Sequence, residues 1–287
     1  MSEQHIVIIG ANGMLGHTLL RDLGRRPGLR VTGTLRSERP PAGFPEVPGT
    51  CLLTRVDITN EKRLEALFET HRPSVVINAA GLVKQRPDSC DRELAMQVNG
   101  QAPHTLARLC EAHGSRLIHI STDCVFRGDK GGYRESDVPD ADDVYGRSKL
   151  MGEVTKGNAL TLRTSIIGPE LNHHFGLLDW FLSQRGAVPG YRQAIFSGLT
   201  TVELARVLRK YVLPRPALRG LYHVSTTPIS KYELLLMIHR IYNSKANPII
   251  DDSVMIDRSL DSMRFQKLTG YSPPTWPMLI QAMKNFG

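Results

Sequence analysis

The sequence predicts an α/β fold: a doubly wound parallel sheet with a smaller, interleaved C-terminal lobe. Three observations lead to it. Short apolar runs alternate with amphipathic segments through the first half, glycines follow the first apolar run at regular spacing, and the alternation stops after about residue 166. Since parallel strands need crossover connections, usually helices, this alternation is typical of a doubly wound sheet.

Six apolar runs are predicted as the strands of this sheet. They are short and rich in β-branched residues or leucine, as expected for strands buried on both faces. The runs cover residues 5–10, 29–35, 51–57, 74–81, 115–122 and 159–165. The amphipathic segments predicted as helices between them cover residues 14–24, 61–70, 88–113 and 144–155.

The second half predicts a smaller lobe. The segment SQRGAVPGYRQ, rich in glycine and proline, is predicted as a loop after a short helix at 177–183. Helices at 200–212 and 230–242 each open with a Thr or Ser cap followed by Glu, and the chain ends in another short helix. We expect residues 1–165 to form a nucleotide-binding domain, with about 190–220 returning to the sheet edge. The substrate lobe then comprises 166–189 and 221–287.

Composition excludes several classes of protein. The 287 residues are 41% hydrophobic and 22% charged, which is ordinary for a soluble domain. No apolar run approaches about 18 residues, so a membrane span is not expected. The net charge of +8 is dispersed rather than gathered in a basic tract, which argues against nucleic-acid binding. No secretory signal is evident, so we expect a cytoplasmic protein whose scattered cysteines are free thiols.

A glycine-rich turn, GANGMLG, joins the first strand to the first helix. Gly10, Gly13 and Gly16 are spaced as in dinucleotide-binding turns of the Rossmann type. Glycine allows the backbone to approach a pyrophosphate, which then rests on the positive end of the helix. Glycines also mark plain turns, but the order strand, glycines, helix favours a nucleotide site.

The end of the second strand indicates which dinucleotide would bind. Many NAD sites place Asp or Glu there to accept bonds from the ribose, whereas this chain has TLRSER, with Arg36, Ser37 and Arg39. A guanidinium pairs with a 2′-phosphate, so NADPH is predicted, with NADH as the alternative. The alternative interpretation is that TLRSER is simply a solvent-exposed loop of mixed charge with no role in binding. Asp57 is predicted to face the adenine, and Ala79 and Ala80 leave room for a flat cofactor.

Tyr145 and Lys149 lie four residues apart, so on a helix both project from one face. An ammonium near a phenol favours the phenolate, and we expect Lys149 to lower the pKa of Tyr145 for acid–base work. Thr122 ends the fifth strand, at the edge of the sheet where ligands of such folds bind. Taken alone, the YxxxK spacing is more simply interpreted as two exposed side chains on a helix surface, where such pairs are common. Combined with the glycine turn and Thr122, the pair predicts a proton donor and its partner.

These motifs resemble those of the extended short-chain dehydrogenase/reductases, and within them the dTDP-4-dehydrorhamnose reductase family of nucleotide-sugar 4-ketoreductases. The matching segments include GANGMLGHTL, VINAAG, LRTSIIG, DRSLDSMRFQKLTGYSPPTW and, most specifically, residues 121–153. The resemblance implies hydride transfer from NADPH to C4 of a nucleotide-linked 4-keto-6-deoxyhexose. It also implies a place in deoxysugar and cell-surface polysaccharide biosynthesis, with a small-molecule substrate, no metal, and a homodimer as one option.

The resemblance also assigns roles to residues. Thr122, Tyr145 and Lys149 would be catalytic, with Asn99 helping to position the lysine. The cofactor would contact Gly10, Asn12, Gly13, Met14, Leu15, Arg36, Ser37, Asp57, Ile58, Ala79, Ala80, Gly81, Tyr145, Lys149 and Thr164. The substrate would contact Val125, Phe126 and Trp180.

Two departures from the family pattern keep alternatives open. Cys124 stands where the family commonly has tyrosine, and YRQAIFSGLTT replaces a segment rich in Asp, Gln and Gly. A related epimerase or 4,6-dehydratase is one alternative, although Asp123 is not followed by the glutamate that such dehydratases use. A non-catalytic regulatory subunit on the same fold, like that of methionine adenosyltransferase, is the other.

Overall fold

The computed structural model describes residues 3–41, 43–82, 91–171 and 175–287. The strands of its central sheet are β1 (Gln4–Ile9), β2 (Leu29–Thr34), β3 (Thr50–Leu53), β4 (Val75–Asn78), β5 (Arg116–Thr122), β6 (Ala159–Thr164) and β11 (Gly220–His223). All are paired in parallel, in the order β11, β6, β5, β4, β1, β2, β3. This order confirms the predicted doubly wound sheet, in which chain progression reverses between β1 and β4.

Helices cover both faces of this sheet. They are α1 (Met14–Leu23), α2 (Glu61–His71), α3 (Arg92–Ala95), α4 (Ala102–Ala112) and α5 (Val144–Met151). Alternate residues of β1 divide between two cores: Ile6 and Ile8 pack with residues of α1, while Val7 and Ile9 pack with residues of α2 and α4. The apolar run at residues 6–9 of β1 thus reflects burial on both sides of the sheet.

Three of the predicted helices differ from their expected form. The helix predicted over 200–212 is α-helical only over Thr201–Val207 and continues as a π-helix, Leu208–Val212. The segment predicted as one helix over 88–113 is interrupted by a π-helix, Met96–Gln101, between α3 and α4; residues 88–90 lie outside the described residues. The helix predicted to reach residue 155 ends at Met151 instead, with Gly152 as its C-cap. A Cβ at Gly152 would overlap the carbonyl oxygen of Asn99, so close packing against the π-helix fixes where α5 stops.

The C-terminal half forms small sheets and helices beside the central sheet. Its remaining elements are β7 (Ile166–Ile167), α6 (Leu177–Ser183), β8 (Gly186–Tyr191), β9 (Ala194–Phe196), β10 (Leu199–Thr200), α7 (Thr201–Val207), β12 (Ile229–Ser230), α8 (Lys231–Tyr242), β13 (Ala246–Asp251), β14 (Ile256–Asp257), α9 (Met263–Thr269) and α10 (Trp276–Phe286). β9 lies between β12 and β14, and β8 pairs with β13. α6, α8 and α10 share a third core.

Sequence reasoning was wrong about the segment SQRGAVPGYRQ, which contains β8 rather than only a loop. β8 and β13 form a two-stranded parallel sheet, so each strand keeps a free edge. Pro189 is tolerated there because an edge strand need not donate every backbone N–H. The short helix α9 and the sheet strand β11 were also missed.

The chain returns from the lobe to the sheet through α7, which packs against α1. β11 follows α7 and pairs with β6 at the edge of the central sheet. This strand starts at Gly220, which is the last residue of the segment, about 190–220, predicted to return to the sheet edge. Among the described residues, no helix combines the length and the apolar composition that a membrane crossing requires.

Candidate active site

A cleft of about 650 Å³ opens at the carboxyl ends of the sheet strands. One wall comes from the segments after β1, β2, β3, β4, β5 and β6 and from α5. The other comes from residues leading into α6, from β9, from the first residue of α8, and from β14 with the residue that follows it. A ligand site at this edge of a doubly wound sheet is expected, because the strand order reverses here and leaves a crevice.

The glycine turn forms one end of the cleft. Gly10 has φ +83°, and a Cβ there would stand 2.8 Å from Cα of Ala80, so only glycine fits between the two strand ends. The Gly13 backbone N–H donates to the Gly10 carbonyl at 3.1 Å, and α1 starts at the next residue without a side-chain cap. The first backbone N–H groups of α1 therefore remain available to an anion. Five predicted residues line the cleft here: Gly10, Asn12, Gly13, Met14 and Leu15.

Beyond this turn, the cleft is lined by Arg36, Asp57 and Ile58, as expected for an adenosine end. The Asp57 carboxylate accepts hydrogen bonds from the backbone N–H and hydroxyl of Thr59, at 2.9 and 2.7 Å. Ser37 was also predicted to contact the cofactor, but its side chain is exposed and it is not one of the residues that line the cleft. Its hydroxyl instead donates to the Arg39 carbonyl at 2.8 Å. The guanidinium of Arg36 is thus the basic group at this end of the cleft.

The segment after β4 lines the middle of the cleft with Ala79, Ala80 and Gly81. Asn99 lies behind it, in the π-helix. Its Nδ2 donates to the Leu82 carbonyl and to the Ser148 hydroxyl, both at 3.1 Å, while its Oδ1 accepts from the Leu82 N–H at 2.9 Å. Asn99 therefore ties this segment to α5, and π-helical insertions often occur at functional sites.

Thr122, Tyr145, Lys149 and Thr164 line the same cleft at the ends of β5 and β6. Asp143 caps α5 by accepting from the Gly146 N–H at 2.7 Å, which sets Tyr145 in the first turn. The Thr122 hydroxyl contacts the Tyr145 phenol, as well as the Asp123 carboxyl at 3.2 Å. The structure therefore brings together the three side chains predicted to be catalytic.

The pKa of Tyr145 shifts in the direction opposite to the one expected. Burial raises the pKa of the phenol, with Cys124 adding to the rise; the hydrogen bond with Thr122 opposes it. The expectation that Lys149 lowers this pKa was wrong, because burial dominates the shift and the Lys149 ammonium donates to a different partner, the carbonyl of Ile120. Tyr145 is consequently a neutral phenol across the physiological range, which suits an acid rather than a base.

Lys149 donates from Nζ to the carbonyl of Ile120 at 2.8 Å. Burial lowers the pKa of this lysine to about 8, and the charge of Glu153 opposes that fall. An ammonium with its pKa so close to neutrality changes charge readily with its surroundings.

Three residues predicted to contact substrate lie elsewhere. Val125 and Phe126 are completely buried, and the Phe126 ring stacks on Tyr133 with centroids 4.2 Å apart. The 3-10 turn after β5 (Asp123–Val125) directs these side chains into the core and leaves Cys124 facing the cleft. Trp180 is half-buried and packs against the core of the lobe, and it is not one of the residues that line the cleft.

Sequence reasoning missed the lobe side of the cleft. Ile195, Lys231, Ile256 and Arg258 line it, from three separate stretches of the chain. Two of these residues had a signal in the sequence: Arg258 belongs to the family-like segment DRSLDSMRF, and Ile195 lies in YRQAIFSGLTT, the segment that departs from the family pattern. Arg258 donates from Nε to the Phe126 carbonyl at 2.7 Å and approaches the Cys124 sulfur at 3.8 Å.

No group of three or more metal-ligating side chains occurs in the described parts of the chain. His173 and His174, interpreted as loop histidines, lie outside those parts. Cys51, Cys110 and Cys124 are free thiols, and burial raises the pKa of Cys124 to about 12. The thiol facing the cleft is therefore a poor nucleophile.

Comparison with known proteins gives a family and several relatives. The family model described as RmlD substrate binding domain matches residues 4–283. The probable low-salt glycan biosynthesis reductase Agl14 of Haloferax volcanii is 38% identical over 165 residues, which are 56% of this chain and 52% of that protein. The dTDP-4-dehydrorhamnose reductase of Aggregatibacter actinomycetemcomitans is 24% identical, over 98% of this chain and 97% of that protein.

A third relative has a different description. Methionine adenosyltransferase 2 subunit beta of Bos taurus is 26% identical, over 97% of this chain and 89% of that protein. Among solved structures, dTDP-4-dehydrorhamnose reductase from Bacillus anthracis in complex with NADP superposes with a TM-score of 0.78. It is 24% identical and covers 98% of this chain and 99% of that one, so it supports the fold.

Proposed function

The chain belongs to the family of the RmlD substrate binding domain, and from this premise we propose that it is an NADPH-dependent reductase. The proposed reaction transfers a hydride to C4 of a nucleotide-linked 4-keto-6-deoxyhexose. The observation that carries the proposal is that Thr122, Tyr145 and Lys149 line one cleft together with the glycine turn.

The residues of the cleft fit a nicotinamide dinucleotide. The missing Cβ of Gly10 and the uncapped start of α1 suit a pyrophosphate. Arg36 suits a 2′-phosphate, since its guanidinium can form paired hydrogen bonds to phosphate oxygens. When bound, NADPH supplies the hydride for the reduction. The relative from Bacillus anthracis was crystallised with NADP, which supports this choice of cofactor.

The side chains around the proposed carbonyl would handle the proton. Tyr145 carries its proton on the phenol oxygen, because burial raises the pKa of that group. It would give this proton to the oxygen that gains charge as the ketone is reduced. The Thr122 hydroxyl would hydrogen-bond the same oxygen, and donors preorganised around a developing charge are a large part of catalysis. Lys149 would hold the ribose and offset the charge left on Tyr145.

The lobe side of the cleft suits the nucleotide part of the substrate. Lys231 and Arg258 bring two cationic side chains there, while Ile195 and Ile256 add apolar surface. A diphosphate needs compensating positive charge, and a sugar ring packs against apolar surface, so this mixture supports a nucleotide-linked sugar over a simple ketone.

The test is to incubate the purified protein with a panel of nucleotide-linked 4-keto sugars and to follow the loss of absorbance of NADPH and of NADH. We expect oxidation of NADPH that depends on a 4-keto-6-deoxy sugar. Tight NADPH binding with no turnover on any sugar of the panel would contradict the proposed reaction.

One observation favours a second candidate. The match to methionine adenosyltransferase 2 subunit beta spans 97% of this chain, so a non-catalytic subunit that binds a dinucleotide is the alternative. Pull-down with a methionine adenosyltransferase catalytic chain, in the presence and absence of NADPH, separates the two. Stable association without sugar reduction supports the subunit; sugar reduction without association supports the reductase.

A further inference from the structure

Glu153 lies just after α5, and its carboxylate is nearly buried, with 6% of the side chain exposed. Arg163 donates to both carboxylate oxygens, from Nε to Oε1 and from Nη2 to Oε2, each at 2.7 Å. The Ser121 hydroxyl donates to Oε1 at the same distance. A guanidinium that holds both oxygens of one carboxylate fixes its orientation as well as its place.

The two donors stand at the carboxyl ends of neighbouring sheet strands. Ser121 directly precedes Thr122 on β5, and Arg163 directly precedes Thr164 on β6. One turn before Glu153, Lys149 donates to the carbonyl of Ile120, also on β5. One bond from the Lys149 ammonium and three bonds to the Glu153 carboxylate therefore dock the C-terminal end of α5 onto these strands.

We propose that Glu153 is a positioning residue of the reductase site, which fixes the end of α5 against the strands that carry Thr122 and Thr164 and holds a negative charge one helical turn after Lys149. The proposal deepens the proposed function, because Lys149 belongs to the same site. Glu153 itself does not line the cleft and need not touch cofactor or substrate.

The electrostatics of Lys149 agree with this role. Burial lowers its pKa to about 8, and the charge of Glu153 opposes that effect. His119 on β5 is affected in turn, since burial and then the charge of Lys149 hold its pKa well below the usual value; His119 is therefore neutral and adds no charge. The elements packed on α5 bring several charged or titratable groups to this region: His119 on β5, Asp123 and Cys124 in the 3-10 turn, Arg92 and Glu93 on α3, and His104, whose ring hydrogen-bonds to the Met151 carbonyl. Tyr145 lies on α5 itself, and Glu153 with its partner Arg163 completes the set.

The direct test measures the titration of Lys149 by NMR on protein labelled with ¹³C at the lysine ε-carbons, without cofactor or substrate. The Lys149 signal is assigned by its loss in Lys149→Met. We expect a midpoint near pH 8 in the native protein, and in Glu153→Gln a midpoint lower by about one pH unit or more, since an opposite charge at close range has been removed.

Glu203→Gln is the matched control. Glu203 is equally buried, with 7% of its side chain exposed, and it forms the same two-pronged pair with Arg206 on α7, away from the cleft. It should leave the Lys149 midpoint unchanged. Glu153→Asp, which retains the charge, should keep the midpoint within a few tenths of a pH unit of the native value.

Glu153→Gln leaves the buried Arg163 without its partner and can fail to fold. The double variant Glu153→Gln/Arg163→Gln removes both charges. Because loss of the Arg163 cation raises the Lys149 midpoint and loss of the carboxylate lowers it, the midpoint should lie below the native value but above that of Glu153→Gln. An unchanged midpoint in either variant overturns the proposal, as does a Glu153→Asp midpoint as low as that of Glu153→Gln. Because this titration involves no sugar and no NADPH, it decides the role of Glu153 even if the proposed reduction is not found.

Discussion

The two ends of the cleft are built in different ways. The nucleotide end consists of strand-to-helix turns, where Gly10 and Ala80 bring two backbones together and the first N–H groups of α1 are left open. The lobe end consists of side chains from distant stretches, among them Ile195, Lys231 and Arg258. The nucleotide end therefore depends on backbone geometry encoded in a few adjacent residues, whereas the lobe end depends on how the small sheets assemble.

The largest effect is expected where the two ends meet, at Tyr145. Tyr145→Phe removes the proton donor and keeps the ring, so kcat should fall by about 10²- to 10⁴-fold. NADPH affinity should change by less than about threefold, since the contacts of the nucleotide end remain; a fluorescence titration measures it. If NADPH affinity fell as much as kcat, then NADPH binding at the nucleotide end would depend on Tyr145, which would contradict the prediction.

A backbone change should disable the nucleotide end alone. Gly10→Ala places a Cβ against Ala80 at a position with φ +83°, and NADPH affinity should fall by about tenfold or more, or about 1.4 kcal/mol. Gly28→Ala is the control, since Gly28 has φ +79° but open space around it. By urea titration, Gly28→Ala should lose about 1–2 kcal/mol in the free energy of unfolding from its positive φ alone. Gly10→Ala should lose more, because its Cβ also meets the Ala80 backbone. Equal loss of NADPH affinity in both would contradict the close-approach argument.

A charge at the nucleotide end should decide between the two cofactors. Arg36→Ala should reduce the preference for NADPH over NADH by about 10- to 100-fold in kcat/KM, because a charge-assisted hydrogen bond contributes about 1.5–3 kcal/mol. Arg39→Ala, an exposed neighbour outside the cleft lining, is the control. If Arg36→Ala leaves the preference intact, the 2′-phosphate must be held by another group.

The smallest effect is expected at Trp180. This side chain packs against the lobe core rather than lining the cleft, so Trp180→Phe should lower the free energy of unfolding by about 1 kcal/mol. The KM for the nucleotide sugar should change by less than about twofold. A tenfold rise in that KM would show that Trp180 contacts the substrate after all, which would contradict its position in the lobe core.

The same contrast explains how much of the molecule could be predicted. The six strands, the glycine turn and the YxxxK helix depend on local periodicity and spacing, and the structure confirms the strands, while the family match confirms the resemblance based on these motifs. Val125 and Phe126 were misplaced because a single 3-10 turn decides which residue after Thr122 faces the cleft. The hydrophobic periodicity of the sequence does not predict a single turn of this kind.

Contacts between distant residues were also out of reach. The pair Glu153–Arg163 joins the end of α5 to β6. Arg163 lies in a strand predicted to be buried, but nothing in the sequence indicates that Glu153 is its partner. Lys231 is an ordinary first residue of a well-capped helix, and only the packing of α8 beside the cleft gives it a ligand-facing position. The direction of the Tyr145 pKa likewise depends on burial, which the spacing of Tyr145 and Lys149 does not report.

The central claim is that Thr122, Tyr145 and Lys149 reduce a sugar ketone beside a bound nicotinamide. The most direct measurement is reduction of a nucleotide-linked 4-keto-6-deoxyhexose with NADPH carrying deuterium at the transferable position of the nicotinamide, followed by NMR of the product. We predict one deuterium at C4 of the sugar with the native protein, and about 10²-fold or slower transfer with Tyr145→Phe. Absence of deuterium at C4, or equal transfer by both proteins, would contradict the account.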